Sequence, residues 1–168
     1  MFFDELLILK SAILSEVGSM EFYKMAAEKT DDTEIKAAFK ELSAEEELHM
    51  NWLKEIYKSL ENKADNLPEF SFEQFAKSSK KKAAGFLHLS NKVLASASIS
   101  VAVFGIAVNM EKSAVEFYQK LASETAVPKL RLLCENLAEW EKEHMEQFSS
   151  VYDSMMNNWW TDQGFSPY

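Results

Sequence analysis

Two glutamates in this chain are each followed, three residues later, by a histidine: Glu46 by His49 and Glu141 by His144. On a helix, positions i and i+3 project from one side, so each pair offers a carboxylate and an imidazole to the same point. A further glutamate stands 30 residues before each pair, Glu16 before Glu46 and Glu111 before Glu141. Four carboxylates and two imidazoles make a mixed oxygen and nitrogen donor set, which suits iron or manganese more than calcium. Glu16 sits in line with Ile13, Met20 and Tyr23, an apolar stripe, so its carboxylate is expected to face a core. Carboxylates in a core are strongly unfavourable without compensating cations, and two divalent metals supply that compensation.

The elements that must position these six residues are legible as an internal repeat at an offset of 95 residues. Ala12-Ile13-x-x-Glu16 aligns with Ala107-Val108-x-x-Glu111, and Glu21-Phe22-Tyr23 with Glu116-Phe117-Tyr118. Leu42 meets Leu137, Glu46-x-x-His49-Met50 meets Glu141-x-x-His144-Met145, and Tyr57 meets Tyr152, without a gap. Each half reads as two helices, over residues 4–29 and 34–61, then about 100–124 and 128–157. Thr30-Asp31-Asp32-Thr33 supplies turn and N-cap chemistry between the first two, and Pro128 suits the first turn of the last. Asp31 is midway between Glu16 and Glu46, and Ala126 midway between Glu111 and Glu141. About 15 residues, roughly 22 Å, run along one helix and the same number return on the next. Both carboxylates of a hairpin therefore arrive at one height.

Between the halves, residues 62–99 form a crossover, broken at Asn66-Leu67-Pro68 and at Gly85. Ser71-x-x-Gln74 resembles a capping box before a short helix. A connection of this length lets the second and third helices run parallel. The expected fold is thus an all-α, four-helix bundle in a single domain, with an aromatic tail (Trp159, Trp160, Phe165, Tyr168) over residues 158–168 that packs at a bundle end or on another subunit.

The 168 residues suit one domain, and four Gly with three Pro favour long helices. A net charge of −9 argues against nucleic acid or anionic membrane as partner. Lys77–Lys82 reads as a solvated face or linker, and His88, which has Gly85 three residues before it, as an ordinary linker histidine. Cys134 is the sole cysteine, so an internal disulfide and a four-cysteine metal ribbon are both excluded within this sequence. The acidic start, with Asp4 and Glu5, does not resemble an export signal, and Val93–Val108 is too short for a membrane span. A cytoplasmic location is the expectation.

Two copies of A-[IV]-x-x-E-x-x-[SA]-x-x-F-Y, each followed by E-x-x-H, resemble the rubrerythrin-like branch of the ferritin-like di-iron carboxylate superfamily, over residues 12–57 and 107–152. The resemblance implies a four-helix bundle with two iron ions between the hairpins, manganese or zinc being alternatives. It gives Glu46 and Glu141 the bridging role, Glu16 and Glu111 the terminal one, and one ion each to His49 and His144. Three departures bear on activity. Rubrerythrins proper carry an extra Glu one turn after the third-helix ligand, where this chain has Ala114. They append a four-cysteine iron domain for electron delivery, which one cysteine cannot build. The Met by which bacterioferritins bind haem is replaced by Glu47.

Tyr23 and Tyr118 lie seven residues beyond Glu16 and Glu111, two turns along the same side, where a phenol either hydrogen-bonds a ligand carboxylate or only packs the core. Trp52, Trp140 and the methionines read as packing. The expected function is a di-iron oxidoreductase, reducing hydrogen peroxide or dioxygen with electrons from ferrous iron or an external donor. The alternatives are an iron-handling, ferroxidase storage protein and a metal-stabilised structural module. Family analogy implies a homodimer.

Overall fold

The structure, a computed structural model, describes residues 2–31, 33–62 and 97–164. Among these, four helices account for nearly all residues: α1 (Phe2–Lys29), α2 (Thr33–Glu61), α3 (Ala97–Glu124) and α4 (Pro128–Asp162). The fold is the all-α, four-helix class that the duplicated hairpins imply. The expected short helix of the crossover, Lys77–Lys82, Gly85 and His88 lie outside the described residues.

Helix ends follow local chemistry. Lys29 in the last turn of α1 and Glu34 in the first turn of α2 each complement the helix dipole. Pro128 opens α4 where its missing N–H costs nothing. At the other end, α4 continues past the expected boundary at residue 157 through Asp162, because Asn158-Trp159-Trp160-Thr161-Asp162 contains no breaker. The stop signal is Gly164, at φ 76°, whose N–H donates to the Thr161 carbonyl at 3.0 Å. Only glycine adopts that conformation without cost. The part of the tail expected to pack, Trp159 and Trp160, is therefore helical and well exposed, the two rings meeting edge to face at 4.8 Å.

The chain divides into two compact units. The first is built from α1, α2 and Tyr118–Leu137. Its core holds Leu9, Ala12 and Ala27 from α1, Phe39, Leu42, Leu53 and Ile56 from α2, and Leu121, Leu130, Leu133 and Leu137. Tyr23 stacks nearly parallel on Phe39, centroids 6.2 Å apart. Ser43 Oγ donates to the Met20 carbonyl at 3.0 Å and ties α2 to α1. The second unit comprises α3 up to Phe117 and α4 from Ala138, with Phe104, Ala107, Val115, Phe148, Val151 and Met155 buried. Phe104 and Phe148 meet edge to face at 5.8 Å.

The repeat explains one pair of local differences. Tyr57 and Tyr152 are equivalent, as are Lys10 and Gly105. In the first unit the Lys10 ammonium lies 5.4 Å from the Tyr57 ring centroid. In the second, a Cβ at Gly105 would stand only 3.0 Å from Tyr152 Cε2, so the ring occupies space that a side chain would need.

The α3–α4 turn is held from α1. Glu5, buried, accepts from Thr125 Oγ1 at 3.0 Å and from the Ala126 N–H at 3.2 Å. Thr125 Oγ1 in turn accepts from the Val127 N–H at 3.1 Å, and Arg131 Nη2 donates to the Thr125 carbonyl at 2.9 Å. A carboxylate thus serves donors that the chain leaves exposed between two helices. Replacing Glu5 by Ala should cost about 1–3 kcal/mol, the scale for orphaning buried donors. Denaturant unfolding would measure this, and Glu5→Gln, which keeps an acceptor, should lose less.

Cys134 is fully buried, and burial, with a smaller contribution from Glu135, pushes its thiol up to about 12 from 9.0. The unfolded thiol ionises first, so folding stability attached to this group is complete below pH 9 and declines toward pH 12. A thiol reagent at pH 8 should label Cys134 only after denaturation; rapid labelling of the native protein would contradict this burial.

Candidate metal centre

α1 contributes Glu16, α2 contributes Glu46 and His49, α3 contributes Glu111, and α4 contributes Glu141 and His144. All six side chains are between 1% and 5% exposed. Such burial is rare for a carboxylate and requires charged or hydrogen-bonded company.

Within the first unit, His49 Nδ1 lies 3.6 Å from Glu16 Oε2 and 3.3 Å from Glu46 Oε2. Within the second, His144 Nδ1 lies 3.3 Å from Glu141 Oε2. Glu16, Glu46 and His49 each offer a donor atom with all three inside 4.8 Å of one another, and Glu111, Glu141 and His144 do the same. Ligands bound about 2.1 Å from one ion stand no more than about 4.2 Å apart, so each triad is close to the size of a coordination shell. The i, i+3 geometry of α2 and α4 sets the Glu–His separation, and hairpin length sets the height of the third carboxylate.

Tyr118 reaches this centre by a route that helix periodicity alone did not indicate. Its hydroxyl donates to Glu16 Oε1 on α1. On its own helix Glu111 is seven residues away, about 10.5 Å along the axis, too far for a direct bond. The contact leaves Glu16 with one oxygen on the phenol and the other, Oε2, toward His49. Tyr23, its repeat equivalent, is fully buried against Phe39. Trp52, one turn beyond His49, walls the imidazole, ring centroids 5.9 Å apart and tilted by 31°. The i+3 spacing from His49 was its only sequence signal. Trp140, beside Glu141, is buried in keeping with a packing role.

The donor set fits divalent first-row metals: carboxylate oxygen and imidazole nitrogen, buried, in two equivalent groups. A family model described as Rubrerythrin matches residues 8–152, most of the chain. This chain belongs to the rubrerythrin family. No curated protein and no solved structure shows a significant match. The family match spans both triads, and rubrerythrins characteristically bind iron. The departures from rubrerythrins proper stand where the sequence placed them: Ala114 is half-buried, Glu47 is exposed, and Cys134 is buried. Among the described residues, no helix is long and apolar enough to cross a membrane.

Four buried carboxylates should make the metal-free protein the less stable form at neutral pH. Thermal melts with and without ferrous, manganous or zinc ion should show a midpoint rise on metal addition. Glu46→Gln should stabilise the metal-free protein, by removing one buried charge, while reducing metal uptake. Equal midpoints in all four samples would argue that the triads hold nothing.

Proposed function

We propose that this rubrerythrin-family protein is a di-iron carboxylate oxidoreductase that reduces hydrogen peroxide or dioxygen, taking electrons from ferrous iron or an external donor. The observation that carries the reading is the pair of buried triads, each with one imidazole close to carboxylate oxygens, in a chain of this family. Glu16, Glu46 and His49 would hold one ion, and Glu111, Glu141 and His144 the other. A pair of redox-active ions, when bound, would supply electrons in pairs to an O–O bond. Peroxide then takes two electrons and two protons to give two waters; dioxygen takes the same to give peroxide.

The chain's own part is to bind, orient and keep dry. His49 and His144 fix one nitrogen each at the carboxylates. The Tyr118 hydroxyl holds Glu16 by Oε1, so that this carboxylate is oriented before any ion arrives. Trp52 excludes water beside the first triad. Having Ala114 where rubrerythrins proper have Glu, the chain cannot exchange a ligand at that position. Having a single cysteine, it carries no four-cysteine electron-delivery domain within this sequence, which is why the donor is taken to be external or ferrous iron itself.

The test is anaerobic loading with two ferrous ions per chain, followed by peroxide or dioxygen, with near-ultraviolet absorption recording oxidation. Oxidation should run well ahead of free iron in buffer, with two irons consumed per peroxide, and His49→Ala or His144→Ala should slow it at least tenfold. A rate no faster than that of buffer iron would defeat the proposal. Retention of many irons per chain in a large shell would replace it with storage.

A further inference from the structure

The two triads part company at the residue one turn beyond each histidine. Trp52 follows His49 by three positions, and the repeat offset of 95 puts Gln147 in the same place after His144. Side chains three apart on a helix are neighbours, with Cβ atoms about 5–6 Å apart, so each of these residues stands beside its imidazole. On α2 an indole fills that place. Its ring centroid lies 5.9 Å from that of His49, and Trp52 is only 9% exposed. On α4 the place belongs to a slimmer, unbranched side chain that is half-buried, beside a His144 that is buried. Gln147 therefore stands between the second triad and water, where the first triad has a wall.

The chemistry of that position points to a neutral, hydrogen-bonding ligand. A carboxamide brings two N–H donors and a carbonyl acceptor. Among the described residues, no other group is hydrogen-bonded to Gln147. Glu143, half-buried and one turn before it, is its neighbour on the same face and disfavours an anion there. On α3, the residue three beyond Glu111 is Ala114, whose methyl group neither ligates nor hydrogen-bonds, so it does not compete for what arrives.

Hydrogen peroxide is uncharged, donates hydrogen bonds and accepts them. Dioxygen has no proton to donate. A polar group placed to meet a hydroxyl discriminates strongly against an analogue that lacks one. We infer, on the oxidoreductase reading above, that Gln147 receives hydrogen peroxide at the second triad, its carboxamide bonding the O–H group, and thereby selects peroxide over dioxygen, while Trp52 closes the corresponding approach to the first triad.

Two variants and two measurements test this. Gln147→Met keeps an unbranched side chain of similar length and removes both hydrogen-bonding groups, and Gln147→Trp installs what the first repeat has. The first measurement needs no turnover. Protein loaded with cobaltous ion is titrated anaerobically with hydroxylamine, which is isoelectronic with hydrogen peroxide and uncharged at mildly alkaline pH, and the visible absorption of cobalt records binding. Gln147→Met should weaken that binding about tenfold, the upper end for one hydrogen bond, and Gln147→Trp should abolish it. Metal count per chain and helical circular dichroism should be unchanged in both. The second measurement uses iron-loaded protein. Gln147→Met should raise the KM for peroxide about tenfold at unchanged kcat, the sign of lost binding alone, and should change the rate with dioxygen by less than about twofold. Hydroxylamine binding or a peroxide KM that is equal in native protein and Gln147→Met overturns the inference, as does a dioxygen rate that falls in step or an altered metal count. Hydroxylamine binding that depends on Gln147, in a protein that oxidises iron no faster than buffer does, overturns the oxidoreductase reading and leaves the ligand site standing. A chain that takes up no metal overturns both.

Discussion

Negative charge placed away from water is the constraint around which this protein is organised. Glu16, Glu46, Glu111 and Glu141 are almost fully buried, and no protein interior accepts isolated carboxylates. Two imidazoles and one phenol lie against them, yet these groups do not neutralise four carboxylates. The remaining compensation is the natural task of cations. Stability and chemistry are therefore joined: the groups that destabilise the empty protein are those that would hold the metal.

Duplication is the economical way to build such a centre. One hairpin supplies a carboxylate from its first helix and a Glu-x-x-His pair from its second, and a second copy supplies the same set again. The copies have since diverged where the centre permits it. Lys10 over Tyr57 and Gly105 beneath Tyr152 solve the same packing position differently. Trp52 stands one turn after His49, whereas the equivalent residue after His144 is Gln147. The triads are alike in residue type and unlike in surroundings.

Contacts of high sequence separation finish what the hairpins begin. Glu5 serves the Thr125–Ala126 turn across some 120 positions, and Tyr118 serves Glu16 across 102. Both are polar contacts between helices of different hairpins, and both end on an α1 carboxylate. α1 thereby presents three kinds of surface: carboxylate anchors inward, an apolar stripe against α2, and exposed Leu7, Leu14 and Met25 elsewhere. A single helix with so many duties has no simple amphipathic pattern, which is why its apolar residues occur on more than one side.

The sequence by itself determined the helical class, the two hairpins and the identity of six buried polar residues, because ligand spacing on a helix is fixed by backbone geometry and needs no knowledge of neighbours. It also contained the end of α4, in Gly164, although the tail was expected to begin at 158; a breaker-free run is helical until a residue stops it. What only the tertiary structure decided was partnership. That Tyr118 would bond Glu16 and not a carboxylate on its own helix, and that Glu5 would cap a distant turn, both depend on how helices are brought together. Periodicity says which side of a helix a residue occupies. It does not say which side chain of another helix arrives there, because that is set by packing over the whole core.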